Sequence, residues 1–157
     1  MNNTQNKFTS PYMHELVLQK PYDQKRTKAV IIEFIGERNI GKALDIGARN
    51  QLTETLENHF SASIESTNID LDIGHLSGQY NTVFCFEVLE HLFNPLHFLF
   101  EVYKVLNNDG RFYLSTPKVR PHFLWFKHHF HEFHQRELIN LIKRSGFKLA
   151  RMKYYRT

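Results

Sequence analysis

Four groups of residues in this chain have types and spacings that chemistry can use. The first is Glu87-Val88-Leu89-Glu90-His91, two carboxylates and an imidazole directly after an apolar run. A neutral imidazole within hydrogen-bond reach takes a proton from a hydroxyl or an amine. His91 is therefore a candidate base, and it serves equally well as a pin that holds its loop by a backbone hydrogen bond. Glu87 falls just past a strand, at the crevice where open α/β sheets bind ligands. The second group is Asp45-Ile46-Gly47-Ala48-Arg49, an acid and a glycine between a strand and a helix. Such a turn brings backbone N–H groups and a helix N-terminus up to a ligand. Asp70 and Asp72 form the third group. An acid at the end of a strand, about twenty residues beyond a glycine turn, is placed to hold a ribose hydroxyl; the plainer reading is that both acids cap a loop. Last come His128, His131 and His134, which helical spacing would place near one another. Imidazole suits zinc or nickel, yet no cysteine joins them and the nearest acids are Glu132 and Glu137, so no metal site is expected.

The elements that position these groups are legible around residues 80–117. Thr82–Phe86 is a short apolar run without alternation, as in a strand covered on both faces. Asn94-Pro95 then opens a helix, with Asn as N-cap and Pro at the first position, where its missing N–H costs nothing. Leu96, Leu99, Phe100, Tyr103 and Leu106 make its apolar face. Asn107-Asn108-Asp109-Gly110 turns the chain, and Arg111–Ser115 is a second strand that stops before Pro117. Together they predict a βαβ unit.

FCFEVLEHLFNP followed by EVYKVLNNDGRFYLSTP resembles the fourth-to-fifth-strand segment of class I S-adenosylmethionine-dependent methyltransferases, and the resemblance runs from about Ala43 to Phe147. It implies a Rossmann-like α/β fold, an open, mostly parallel sheet with helices on both faces. It also implies S-adenosylmethionine as cofactor and S-adenosylhomocysteine as product. In that family an acidic-x-Gly-x-Gly-x-Gly loop wraps the amino-acid end of the cofactor. Asp45 matches the acid and Gly47 the first glycine; Arg49 and Gln51 replace the second and third, with Ala48 between Gly47 and Arg49. Arg49 either swings outward, reaches the cofactor's carboxylate or fills the pocket. The resemblance makes Asp70 the ribose ligand, Asp72 the candidate for the adenine amino group, and Glu87 a residue facing cofactor or substrate. Only Leu71–Gln79 separates Asp70 from Tyr80, so the family's second helix and much of its third strand are missing. "HFHEF" introduces the last major helix, after a variable substrate lid, which makes His131 a second candidate base.

Composition fits one domain over residues 1–157, with a helical cover over 1–38 and the sheet core over 42–157. The chain is 41% hydrophobic, 14% aromatic and 23% charged, ordinary values for a folded domain. Its net charge of +4 reads as a solvated surface, and nucleic acid is not the expected partner. The single cysteine, Cys85, excludes an internal disulfide and sits mid-strand as a small hydrophobe. No stretch approaches membrane-spanning length and MNNTQNKFTS lacks a signal-peptide core, so cytoplasm is the default compartment. Residues 1–11 are expected to fray. A short helix is expected over Met13–Lys20, then one capped by Asp23 and running to about Glu37, with Tyr12 and Tyr22 able to close a pocket. Lys42–Ile46 and Ser63–Asp72 read as strands, Leu52, Leu56 and Phe60 as the face of the helix between them, Glu137–Arg144 as a helix and Phe147–Tyr155 as a last strand.

Three functional readings follow. The first is methyl transfer to a small-molecule acceptor, with His91 or His131 as base where the nucleophile arrives protonated; no Asn/Asp-Pro-Pro-Tyr/Phe motif marks an amino-methylating nucleic-acid enzyme. The second is a catalytically inactive methyltransferase-like binding or scaffolding domain, favoured by the missing glycines and shortened middle. The third is RNA association through Lys143, Arg144, Lys148, Arg151, Lys153 and Arg156. An open sheet edge, left by the short C-terminal region, suits a homodimer.

Overall fold

A computed structural model describes residues 24–155 apart from Trp125. The expected Met13–Lys20 helix, the Asp23 cap, the fraying of residues 1–11 and the roles of Tyr12 and Tyr22 lie outside these residues. The elements are α1 (Gln24–Ile35), β1 (Ala43–Asp45), α2 (Gln51–Phe60), β2 (Ile64–Ser66), β3 (Tyr80–Phe86), α3 (Pro95–Val105), β4 (Leu106–Ser115) and α4 (Gln135–Arg144). Short 3₁₀ turns cover Leu89–His91 and His122–Leu124. The strands form one parallel sheet in the order β2-β1-β3-β4.

Burial on β3 explains why its sequence shows no alternation. Val83 and Cys85 point into a core shared with Leu89, Phe98, Leu99 and Val102, against α3. Phe84 points the other way, into a core with Ile31, Ile35, Leu56 and Ile64, against α1 and α2. A strand covered on both faces must be apolar throughout. Burial also raises the Cys85 thiol pKa well above its ordinary value, so this cysteine is packing, not nucleophile. Asn94 caps α3 through a 3.2 Å bond from the His97 N–H, with Pro95 in the first turn, as the sequence predicts.

Three boundaries differ from expectation. The expected turn at Asn107–Gly110 lies inside β4 as a bulge: Tyr80 pairs with Leu106 and Thr82 with Arg111, so residues 107–110 all oppose Asn81. The strand predicted over Ser63–Asp72 is only Ile64–Ser66, because Thr67 leaves the ladder to clamp the neighbouring turn. Residues 67–79 carry neither helix nor strand and lead to β3 across β1. Finally, Phe147–Tyr155 is not a strand. Its cations draw it to α1 instead: Arg151 stacks over Phe34 and donates to the Phe34 carbonyl, and Lys153 pairs with Glu33 at 2.7 Å. Among the described residues, two cations of the candidate basic face, Arg151 and Lys153, are thus engaged within the fold. Among the described residues, β2 and β4 are the sheet edges, and no helix is long and apolar enough to cross a membrane.

Candidate functional site

The strand order reverses between β1 and β3, since β1 leads to β2 on one side and β3 to β4 on the other. At such a point the connections diverge and leave a crevice at the carboxyl ends of the strands. Asp45–Gly47 and Glu87 sit at that point.

On the β1 side the turn is held by short hydrogen bonds. The Thr53 hydroxyl, from the first turn of α2, donates to Asp45 Oδ2 at 2.5 Å. Asp45 is 4% exposed, and burial raises its pKa to about 6 against the opposing effects of Thr53 and Arg49. Gly47 has φ 103°, a left-handed conformation that favours glycine. Its N–H donates to Thr67 Oγ1 at 2.7 Å and its carbonyl accepts from the Thr67 N–H at 3.2 Å. A Cβ built on Gly47 meets nothing within 4 Å, so the turn faces open space. Ala48 is exposed, and its carbonyl accepts from Asn50 Nδ2 at 3.3 Å. Asn50 caps α2, its side chain accepting from Leu52 and Thr53. Of the three readings for Arg49, the structure shows the outward one. Its guanidinium forks onto both carboxylate oxygens of Glu57, which also accepts from the Ile64 N–H. The Arg49 bond, followed by the Ile64 bond, holds the Glu57 pKa down at about 2.

Asp70 and Asp72 order their own loop. The Asp72 N–H donates to Asp70 Oδ1 at 2.9 Å, and the Asn94 N–H donates to Asp72 Oδ1 at 2.7 Å, tying the loop to the start of α3. Among the described residues Oδ2 of each carries no hydrogen bond. A carboxylate has acceptor capacity on both oxygens, so loop capping and ligand binding are compatible here. The residues therefore fit a nucleoside cofactor: an open glycine turn, a helix N-terminus beside it, and two half-buried carboxylates beyond β2.

The β3 side is denser and more strained. Glu87 is a non-glycine residue at φ 58°, a conformation that costs energy and clusters at functional positions. Its N–H donates to the Ser115 carbonyl at 3.1 Å and its carboxylate accepts from the Ser115 hydroxyl at 2.7 Å. Burial raises the Tyr155 phenol pKa, with the charge of Glu87 adding to it and a hydrogen bond to Ser115 opposing it. A groove of about 1330 Å³ opens beside Glu87 and runs along β4, bordered by Phe86, Thr116, Phe133, Tyr154 and Tyr155. Gly47 and Asp70 lie outside it.

His91 and His131 come to the same junction. His91 Nδ1 lies 2.9 Å from the His128 carbonyl, so it does pin a loop, and the Phe130 and His131 N–H groups donate to the Glu90 carbonyl at 2.9 and 3.2 Å. The His131 ring stacks on Phe133. The helical spacing assumed for His128, His131 and His134 does not hold: residues 126–133 form a loop of turns. There His128 offers its carbonyl, His131 stacks, and His134 precedes α4 with its N–H on Glu137. The buried histidine is one the spacing passes over, His129, whose Nδ1 lies 3.0 Å from Glu132 Oε1. Ser115 and Thr67 are equally unmarked in the sequence, since each acts through a partner distant along the chain, and Glu132, marked only as an acid near the histidines, pairs with the one among them that the spacing passes over.

Residues 15–151 match a family model described as a methyltransferase domain. No curated protein sequence matches the chain. Among solved structures, it is similar to an S-adenosylmethionine dependent methyltransferase from Mesorhizobium loti: TM-score 0.56, 12% identity, 83% of each chain. PigF, solved with S-adenosylhomocysteine, gives TM-score 0.56 at 15% identity over 90% of this chain and 56% of that one. The Haloferax volcanii complex of a methyltransferase with the Trm112 methyltransferase activator gives 0.58 at 11% identity, over 95% and 80%. At these identities the likeness is one of fold.

Proposed function

The chain belongs to the methyltransferase-domain family, the S-adenosylmethionine-dependent class I fold, and from that premise we propose that it transfers a methyl group to a small-molecule acceptor. The observation that carries the proposal is the Gly47 turn, which faces open space where the sheet order reverses. When bound, S-adenosylmethionine supplies an electrophilic methyl on a sulfonium, ready for in-line displacement. What remains for the protein is alignment and exclusion of water. The Gly47 backbone and the start of α2 hold the methionine end, with Ala48 and Arg49 at the rim and Asp45 bracing the turn through Thr53. Asp70 and Asp72 hold the nucleoside. Glu87, at the mouth of the groove along β4, faces the reacting centre, and the acceptor enters through that groove. His91 or His131 takes the proton where the acceptor is a hydroxyl or an amine. Titration calorimetry of the purified chain with S-adenosylmethionine and S-adenosylhomocysteine tests this reading. Saturable binding of both is expected, and no heat with either would overturn it.

One feature favours the second reading, a domain that binds or scaffolds without catalysis. Arg49 and Gln51 stand where the family's loop carries glycine, so less of the loop can approach a ligand; the same calorimetry decides between the two. In that second reading the groove along β4 takes no acceptor, and β4 offers its edge to a second copy of the chain, an arrangement that removes an exposed ladder. Light scattering behind size-exclusion chromatography should then give twice the chain mass, and a monomer would remove the dimer.

A further inference from the structure

Glu90, His91 and His129 converge beneath the loop 126–133. One ligand atom of each lies within 4.8 Å of the other two. Glu90 is 1% exposed and His129 7%, and the His91 and His129 rings stand 4.9 Å apart, edge to face. His91 Nε2 is 3.8 Å from Glu90 Oε1, too far for a hydrogen bond. Ligand atoms about 2.1 Å from one ion sit about 3–4 Å from each other, so side-chain shifts of about 1 Å close the set around a cation.

The outer hydrogen bonds set the ring orientation such a site needs. A backbone carbonyl only accepts, so His91 Nδ1 is the donor to His128. His129 Nδ1 faces Glu132. The Glu132 carboxylate accepts from the Arg120 backbone N–H at 3.1 Å and from its guanidinium at 2.7 Å. Glu132 is thus an acceptor, and His129 donates from Nδ1. Each neutral ring then carries its lone pair on Nε2. Metal-binding histidines are held in this way, with the outer N–H given to a carbonyl or carboxylate. A second cluster, His75, His97 and Glu101, lacks this design: Glu101 already pairs with Lys104, and His97 Nε2 contacts the Gly74 carbonyl.

We propose that Glu90, His91 and His129 bind one divalent transition-metal ion, with Glu132 and the His128 carbonyl as positioning groups. Mixed imidazole and carboxylate ligands suit zinc, manganese or cobalt better than calcium or magnesium, which take oxygen ligands. Three protein ligands leave a coordination position for solvent or an acceptor oxygen; with the ion bound both His91 nitrogens are engaged, so the base of the proposed reaction is then His131.

The full chain, treated with chelator and free of S-adenosylmethionine, is titrated with Co²⁺ and with Zn²⁺, so that the outcome is independent of the methyltransferase reading. Saturable 1:1 binding is expected, with new Co²⁺ ligand-field absorption and a rise in Tm. His91→Ala and His129→Ala should each lose binding, Glu132→Gln should weaken it by ~10–100-fold, and His97→Ala should leave it unchanged. Absence of saturable binding by the wild-type chain overturns the site, as does binding that survives His129→Ala or Glu132→Gln unchanged. The wild-type Co²⁺ spectrum and Glu132→Gln keep the test decisive if the alanine variants fail to fold.

Discussion

The two walls of the crevice are built on different principles. On the β1 side, Asp45, Asn50 and Thr53 meet through bonds that span eight residues or fewer, and Thr67 is a distant clamp on Gly47. On the β3 side, Glu87 meets Ser115, Glu90 meets Thr116 and residues 130–131, and His91 meets residue 128. Short-range bonds make a turn whose shape is set by its own sequence and which can be left open toward a ligand. Long-range bonds make a wall that exists only when the sheet and the loop after β4 have docked. Function placed on the first wall should therefore tolerate substitution in stability while losing affinity, and the second wall should do the reverse.

The largest effect expected from this contrast is at Glu132, which joins the β3 wall together. Its side chain is buried and accepts from the Arg120 backbone N–H at 3.1 Å, from the Arg120 guanidinium at 2.7 Å and from His129. Removing one partner of a buried ionic network costs several kcal/mol, because the other polar groups lose their partner. Arg120 reaches water with nearly half its side chain, so the low end applies, about 3–4 kcal/mol. Glu132→Ala should lower Tm by on the order of 10 °C, measured by calorimetric melting. A change of only a degree or two would mean that the loop is not held by this network, and the contrast between the walls would fail.

The difference between the walls also governs what can be read from the chain alone. β3, α3, β4 and α4 are legible because their signals are local, Asn94-Pro95 opening a helix and Ser145-Gly146 closing α4; the face expected for α3 is not the buried one, since Phe100 and Tyr103 are exposed and Phe98, Val102 and Val105 face the core beside Leu99. The positions of Asp45 and Gly47 at the carboxyl end of β1 and of Asp70 and Asp72 in the loop beyond β2 follow from the same local signals. His129 is not, because assigning helical period to residues 126–134 puts His128 and His131 on the inward side, whereas turns there present His129. Phe147–Tyr155 reads as a strand because its residue types suit one. A strand needs a ladder partner, and Arg151 and Lys153 find α1 first. Nothing local marks Glu57 as the partner of Arg49, although that pair decides which way the arginine points.

Asp45 sharpens the comparison through pH. Its folded pKa of about 6 lies above the ordinary 3.8, so the folded state binds the proton more tightly than the unfolded chain. The resulting stabilisation is fully present below the unfolded value and is lost as pH rises through about 6. Above that, the buried carboxylate is ionised. Each tenfold gain in proton affinity on folding corresponds to about 1.4 kcal/mol, which sets that cost at about 2–3 kcal/mol. Asparagine keeps an acceptor for the Thr53 hydroxyl and does not titrate. Asp45→Asn should therefore melt higher than wild type at about pH 8, with the advantage shrinking toward about pH 4. An advantage independent of pH would show that burial of charge is not what Asp45 contributes.

Gly47 separates stability from binding. Alanine at φ 103° carries left-handed strain of about 1–3 kcal/mol and β-branched valine carries more, although the added Cβ meets no protein atom within 4 Å. Both variants should thus melt below wild type, valine the lower of the two. Their affinities should diverge if the open space is where the cofactor lies, since the added methyl groups of valine project into it. Calorimetric titration should show Gly47→Ala binding S-adenosylhomocysteine more weakly than wild type, and Gly47→Val weaker again by about tenfold, equivalent to about 1.4 kcal/mol. Equal affinities in the two variants would place the ligand elsewhere. The short-range wall would then be a structural turn, and the binding surface would have to be sought along β4.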